Sequence, residues 1–131
     1  MAIANTFRDE TFDFYCANCT SQNKHIRSCT IYDHPRTLLV LVDRYTQSSA
    51  YARSRRDCRM IGVEENLDLH GQNYKLGGII MHLGTSVFSG HYTVYVKRKG
   101  VLYTCNDSVV QKVPCLPEQS RDTYLLFFIK Q

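Results

Sequence analysis

The chain has 131 residues, with 16 Lys and Arg against 12 Asp and Glu, a hydrophobic fraction of 44% and a charged fraction of 21%. That length allows one compact domain and hardly two, and a chain of this size and composition buries roughly two-thirds of its unfolded surface, which excludes disorder for most of it. The net charge of +4 is concentrated in Arg53, Arg55, Arg56 and Arg59, so a nucleic-acid binder with Lys and Arg spread over a whole face is argued against.

In chain order, the first 36 residues offer a close cysteine pair in Tyr15-Cys16-Ala17-Asn18-Cys19 and no stretch that reads clearly as a strand. From Thr37 onward, short β-branched and aromatic runs at 37–45, 74–83, 91–97, 101–105 and 124–129 predict strands. The segments 47–57, 64–73, 84–90 and 116–122 are rich in Ser, Gly, Asn, Pro or charge and read as loops. No apolar stripe keeps helical spacing over three turns, so an antiparallel sheet with few helices is expected. No run approaches the ~18 apolar residues of a membrane helix, and residues 1–10 lack the pattern of a secretory signal. The expectation is a single soluble domain over residues 1–131, in the cytoplasm or nucleus, with no membrane partner. The six cysteines, at 16, 19, 29, 58, 105 and 115, are scattered and read as reduced thiols.

One segment carries chemistry. Ser89-Gly90-His91-Tyr92 puts a histidine at the mouth of a predicted strand, and Asn106-Asp107-Ser108 ends the next one. A histidine that works as a base needs a partner to fix its tautomer and ring plane, and Asn or Asp can do so by accepting the Nδ1 hydrogen. If Lys99-Gly100 is a two-residue turn, Val94 opposes Cys105 and Val96 opposes Tyr103 on one apolar face. His91, Thr93 and Tyr95 then share the other face with Thr104 and Asn106, and His91 and Asn106 are diagonal neighbours about 7 Å apart at Cβ. A three-residue loop would set Asp107 opposite His91 but would also place Val94 against Thr104, a poorer match. Taken singly, His91 reads as a solvated strand end and Asn106-Asp107 as a turn; the combination is more specific.

Gly90-His91-Tyr92-Thr93-Val94-Tyr95, then Tyr103-Thr104-Cys105-Asn106-Asp107-Ser108-Val109-Val110, then Tyr124-Leu125-Leu126-Phe127-Phe128, resembles the histidine box and closing strand of the ubiquitin-specific proteases. Upstream, Cys16-x-x-Cys19 is similar to half of that family's zinc ribbon. Residues 35–45 resemble its Arg-Phe strand, here ending Arg44-Tyr45, and Leu67-Asp68-Leu69 with residues 74–84 resembles the stretch before its second blocking loop. The resemblance implies a mainly β piece of an α+β, cysteine-proteinase-like fold: the palm and finger root, the C-terminal half of the catalytic domain. It implies His91 as general base, Asn106 as third triad member and Asp107 as an adjacent assisting residue. Gly90 and Tyr92, which flank His91, are the candidate substrate-binding residues.

The family hydrolyses the isopeptide bond after ubiquitin's C-terminal glycine through a cysteine thiolate and an acyl-enzyme, with no metal in the chemistry. Its nucleophile lies in a box ahead of the zinc ribbon, and none of the six cysteines here matches that box. Two readings stay open. The chain supplies the base to a Cys-bearing half, carried by a second chain or by an upstream part of a longer protein, or it is an inactive module that binds ubiquitin or a ubiquitin-like protein. Structural zinc is half-supported, with Cys16 and Cys19 as its candidate ligands. His25 and Cys29 would complete a zinc-knuckle spacing, the basis of a third reading as a nucleic-acid binder, although no Gly lies between Asn18 and Cys29 to allow so tight a loop. Without the family's thumb, the catalytic face of the sheet is expected to be incompletely covered, and the arginine-rich segment is expected to be a solvated loop with no site role.

Overall fold

The computed structural model describes residues 7–46, 55–86 and 89–131. It resolves into two compact units, residues 1–34 and 35–131.

The first unit holds a hairpin of β1 (Glu10–Cys16) and β2 (Ser21–Arg27), paired from Glu10↔Arg27 to Cys16↔Ser21. Its strands escape a search for apolar runs because they alternate Phe12, Phe14 and Cys16 with polar neighbours, and β2 is almost wholly polar. The aromatic side chains remain largely exposed; Phe14 is 54% accessible. The turn bends back at Thr20, which has a positive φ of 51°.

The second unit contains β3 (Thr37–Leu41), β4 (Tyr45–Thr46), β5 (Arg55–Arg56), β6 (Ile61–Gly62), β7 (Asn66–Leu69), β8 (Gln72–Ser86), β9 (Ser89–Arg98), β10 (Val101–Asn106), β11 (Val109–Lys112), β12 (Gln119–Ser120) and β13 (Thr123–Lys130). Seven of these form one antiparallel sheet in the order β11-β10-β9-β8-β13-β3, with β7 also paired to β8. Among the described residues there is no helix, and hence none long and apolar enough to cross a membrane. All five predicted strands are present, although the first breaks after Leu41 and resumes as β4. Three predicted loops hold short strands: β5, in the loop at 47–57, pairs with β4, β7 returns through a turn at His70 (φ 52°) and Gly71 (φ 83°), and β12 pairs with β6. The loop expected at 84–90 is mostly strand, since Ser86 pairs with Ser89. Residues 47–54 of the first predicted loop lie outside the described residues.

The β9–β10 turn takes the two-residue form, with Lys99 at φ 48° and Gly100 at φ 78°. Consecutive positive φ angles define the primed turn that suits strand twist, and Gly meets the second at no steric cost. Val94 therefore opposes Cys105 and Val96 opposes Tyr103.

Cross-strand pairing also fixes which face holds the core. Tyr95, on the His91 face of β9, pairs with Ile79, which pairs in turn with Leu126; Ile79 is fully buried. Leu67, Leu69, Tyr74, Leu76, Met81, Leu102 and Phe128 complete the buried apolar set. The opposite face carries Val94, Val96, Ile80 and Leu125, half-buried, and ends on Leu39 and Leu41, which are 55% and 59% exposed. The His91 face is also open at its end, where His91 is exposed and its cross-strand partner Leu83 is 46% exposed. Further along that face Leu102, which shares it with Thr104 and Asn106, lines a small cavity with Leu76, Tyr95 and Leu116. Truncating Phe128 in that core would cost about 3–5 kcal/mol.

Candidate functional site

His91 enters the site near the start of β9, and Asn106 is the last residue of β10. The register places both on one face, and their side chains meet: His91 Nε2 lies 2.6 Å from Asn106 Oδ1. An amide oxygen only accepts, so Nε2–H donates and the neutral ring keeps its lone pair on Nδ1. The nitrogen differs from the sequence expectation, in which Nδ1 held the partner. The consequence is chemical, because Nδ1 becomes the atom open to a proton donor.

Asp107 follows in the β10–β11 turn, where its φ of 52° bends the chain so that Asn106 pairs with Val109. Its Oδ2 lies 4.0 Å from His91 Nε2, with the two side chains 80% and 47% exposed. A carboxylate so exposed adds little to stability.

A second histidine stands on the other side of the same strand pair. His82 on β8 pairs across with Tyr92 and is 2% exposed. Its ring stacks on Tyr92 at 4.5 Å and 26°, packs against Tyr124 at 5.6 Å, and its Nδ1 shares a 2.6 Å hydrogen bond with the Tyr45 hydroxyl. Burial pushes its pKa below the ordinary value, and the neighbouring Arg56 adds to the effect. Burial also raises the Tyr45 phenol, so its proton is retained.

Gly90, expected among the substrate-binding residues, lies against this imidazole: a Cβ there would collide with His82 Nε2 and come within 2.9 Å of the Leu83 carbonyl. Tyr92, the other candidate, is 51% exposed, with its ring laid on His82.

Arg56 is not a solvated charge. Its side chain, 11% exposed, donates to the carbonyls of Gly84 (2.6 Å) and His82 (2.9 Å) and pairs with Asp122 at 2.8 Å. Arg44, 2% exposed, donates to the carbonyls of Thr123, Asp57, Arg59 and Ser120. Arg59 stays outside, paired with Asp57, whose carboxyl its hydrogen bonds hold down at about 2. Sequence reasoning missed both buried arginines because a run of arginines looks the same whether its carbonyl partners are near or absent; Arg44-Tyr45 at the end of an apolar strand was the one usable signal.

Cys16 ends β1 and Cys19 sits in the following turn, 3.0 Å from Ser21 Oγ. The Ser21 hydroxyl, and then Cys16, lower the Cys19 thiol pKa. His25 instead packs on Phe12 and Phe14, at 6.2 and 5.4 Å. Among the described residues no three His, Cys, Asp or Glu gather as a metal site, so the knuckle spacing does not assemble one. All six cysteines are free. Cys105 is on the opposite face, across from Val94.

A family model, "Ubiquitin carboxyl-terminal hydrolase", matches residues 3–128. The mouse ubiquitin carboxyl-terminal hydrolase 17-like protein C is 28% identical over 128 residues, 90% of this chain and 23% of that protein. The human ubiquitin carboxyl-terminal hydrolase 3 is 28% identical over 134 residues, 93% of this chain and 26% of its own length. The chain thus spans about a quarter of these relatives. Among solved structures, the SAGA Ubp8/Sgf11/Sus1/Sgf73 DUB module bound to ubiquitin aldehyde superposes with a TM-score of 0.80 at 23% identity, over 98% of this chain and 32% of the matched one. That likeness shows a shared fold. With the family model matching nearly end to end, the chain belongs to the ubiquitin carboxyl-terminal hydrolase family.

Proposed function

We propose that this chain supplies the general base of a cysteine-type deubiquitinase that hydrolyses the isopeptide bond after the C-terminal glycine of ubiquitin or a ubiquitin-like protein. The observation that carries this reading is the bond from His91 Nε2–H to Asn106 Oδ1, which leaves Nδ1 as the acceptor for a thiol proton. In this role His91 takes the proton of a cysteine, and the thiolate attacks the scissile carbonyl. The imidazolium returns the proton to the departing amine, and the neutral ring then activates water against the thioester. Asn106 holds the ring plane throughout, and the Asp107 carboxylate stabilises the imidazolium.

The nucleophile comes from outside these 131 residues, carried by a second chain or by another part of a longer protein. Within the second unit, Cys105 supports this, since it lies across from Val94 on the face opposite His91. The unpaired thiols also fit a reducing compartment, the cytoplasm or nucleus. Any zinc here would need two ligands beyond Cys16 and Cys19.

The same placement favours a second reading, an inactive ubiquitin-binding module. A ubiquitin probe with a C-terminal electrophile separates the two. The isolated chain is expected to form no adduct and to leave diubiquitin intact. Addition of a fragment bearing the family's cysteine box should restore both activities, and His91→Ala should then abolish cleavage. Restored cleavage that survives His91→Ala would overturn the general-base role, and labelling of the isolated chain on one of its own cysteines would overturn the external nucleophile.

A further inference from the structure

The proposed chemistry uses His91 and its face of the sheet. It assigns nothing to Tyr45 or His82, although the hydrogen bond between them is as short as the one that holds His91 itself, 2.6 Å in each case.

We propose that Tyr45 is a positioning residue for His91, acting through His82: its hydroxyl fixes the His82 ring, on which both chain neighbours of His91, Gly90 and Tyr92, rest. The inference builds on the reading of His91 as general base.

Three observations carry it. The His82 backbone is already fixed, since its N–H donates to the Asp122 carbonyl at 2.8 Å and its own carbonyl accepts from Arg56 at 2.9 Å. What remains free is rotation of the imidazole about its side-chain bonds, and the Tyr45 hydroxyl is its polar contact at Nδ1. The ring so fixed is laid against Gly90 with no room for a Cβ between them, and Tyr92 stacks on it. Residues 90 and 92 therefore cannot shift without His82, and they set the backbone from which the His91 side chain leaves. The His91 bond to Asn106 has little tolerance, because hydrogen bonds weaken steeply once distance or angle departs from the optimum. Loss of the Tyr45 hydroxyl would let the His82 ring turn, release Gly90 and Tyr92, and loosen His91 from Asn106.

Tyr45→Phe isolates the effect, because the phenyl ring keeps its packing against His82 and Tyr124. The readout is the tautomer of His91, observed by long-range proton–nitrogen NMR of the 15N-labelled 131-residue chain near neutral pH, a signature that a merely structural role for Tyr45 would not move. Wild type should show His91 protonated at Nε2. Tyr45→Phe should raise the minor Nδ1–H form of His91 by about twofold or more. Should that variant not yield folded protein, Tyr92→Ala, which removes the stacked ring, decides by the same criterion. A wild-type Nε2–H signal left unchanged by the substitution overturns this inference alone. A wild-type His91 without the Nε2–H form overturns the general-base reading and the inference with it.

Discussion

His91 and His82 sit about one strand spacing apart on neighbouring strands, yet they live under opposite physical conditions. His82 is buried, held by Tyr45 and stacked on Tyr92, and its backbone is bonded to Arg56 and Asp122. His91 is exposed and holds one firm partner, Asn106, through Nε2. Strand alternation produces the contrast, since residues 91 and 92 point to opposite faces and only Tyr92 faces His82. The lesson is a division of labour: one imidazole is spent on fixing the strand end, which leaves the other free to react without being slack.

The largest effect that would break this contrast is expected from Gly90→Ala. The added methyl meets His82 Nε2 and the Leu83 carbonyl, so the imidazole must leave Tyr45 or the strand must move. Overpacking together with the lost hydrogen bond predicts a destabilisation of about 2–4 kcal/mol. Denaturant titration of the variant checks this; a loss within experimental error would show that the ring is not confined.

A smaller effect is expected from acid. The folded pKa of His82 lies below the usual 6.5, so between the two values the unfolded chain binds the proton that the folded chain refuses. Stability from keeping this ring neutral is full above pH 6.5 and is lost as pH falls through the lowered folded value. Its slope is at most about 1.4 kcal/mol per pH unit. Denaturation curves on either side of that window should show a steeper acid loss in wild type than in His82→Phe, and equal slopes would mean that the ring titrates as if in water.

The smallest stability change belongs to the open pair. Asn106 is exposed, and Asn106→Ala should alter stability by no more than about 0.5 kcal/mol. A loss comparable to that of Gly90→Ala would mean that the pair holds the fold together, which would erase the distinction between the two histidines.

The sheet and the His91–Asn106 pairing were legible in the sequence for one reason: Lys99-Gly100 permits a two-residue turn, and apolar matching then selects a single register. The family resemblance added His91, Asn106 and Asp107 independently of that register. What stayed hidden depends on contacts between residues far apart in the chain. Arg44 reaches Ser120 and Thr123, and Arg56 reaches Asp122; no local pattern announces such partners. The uneven burial of the sheet was not legible either: Val94, Val96, Tyr103 and Cys105 look like core from composition and are only half-buried, whereas Leu102 and Ile79 on the other face are buried. The β1–β2 hairpin was overlooked because its strands are polar and its aromatic residues stay largely in solvent.

The central claim is that Asn106 locks His91 with Nε2 protonated and Nδ1 open. The most direct test is the long-range proton–nitrogen NMR spectrum of His91 in wild type and in Asn106→Ala near neutral pH. The account predicts Nε2–H as the dominant form in wild type and a mixture of both tautomers in the variant. A wild-type ring protonated at Nδ1, or one whose tautomers are unchanged by removal of Asn106, would contradict it.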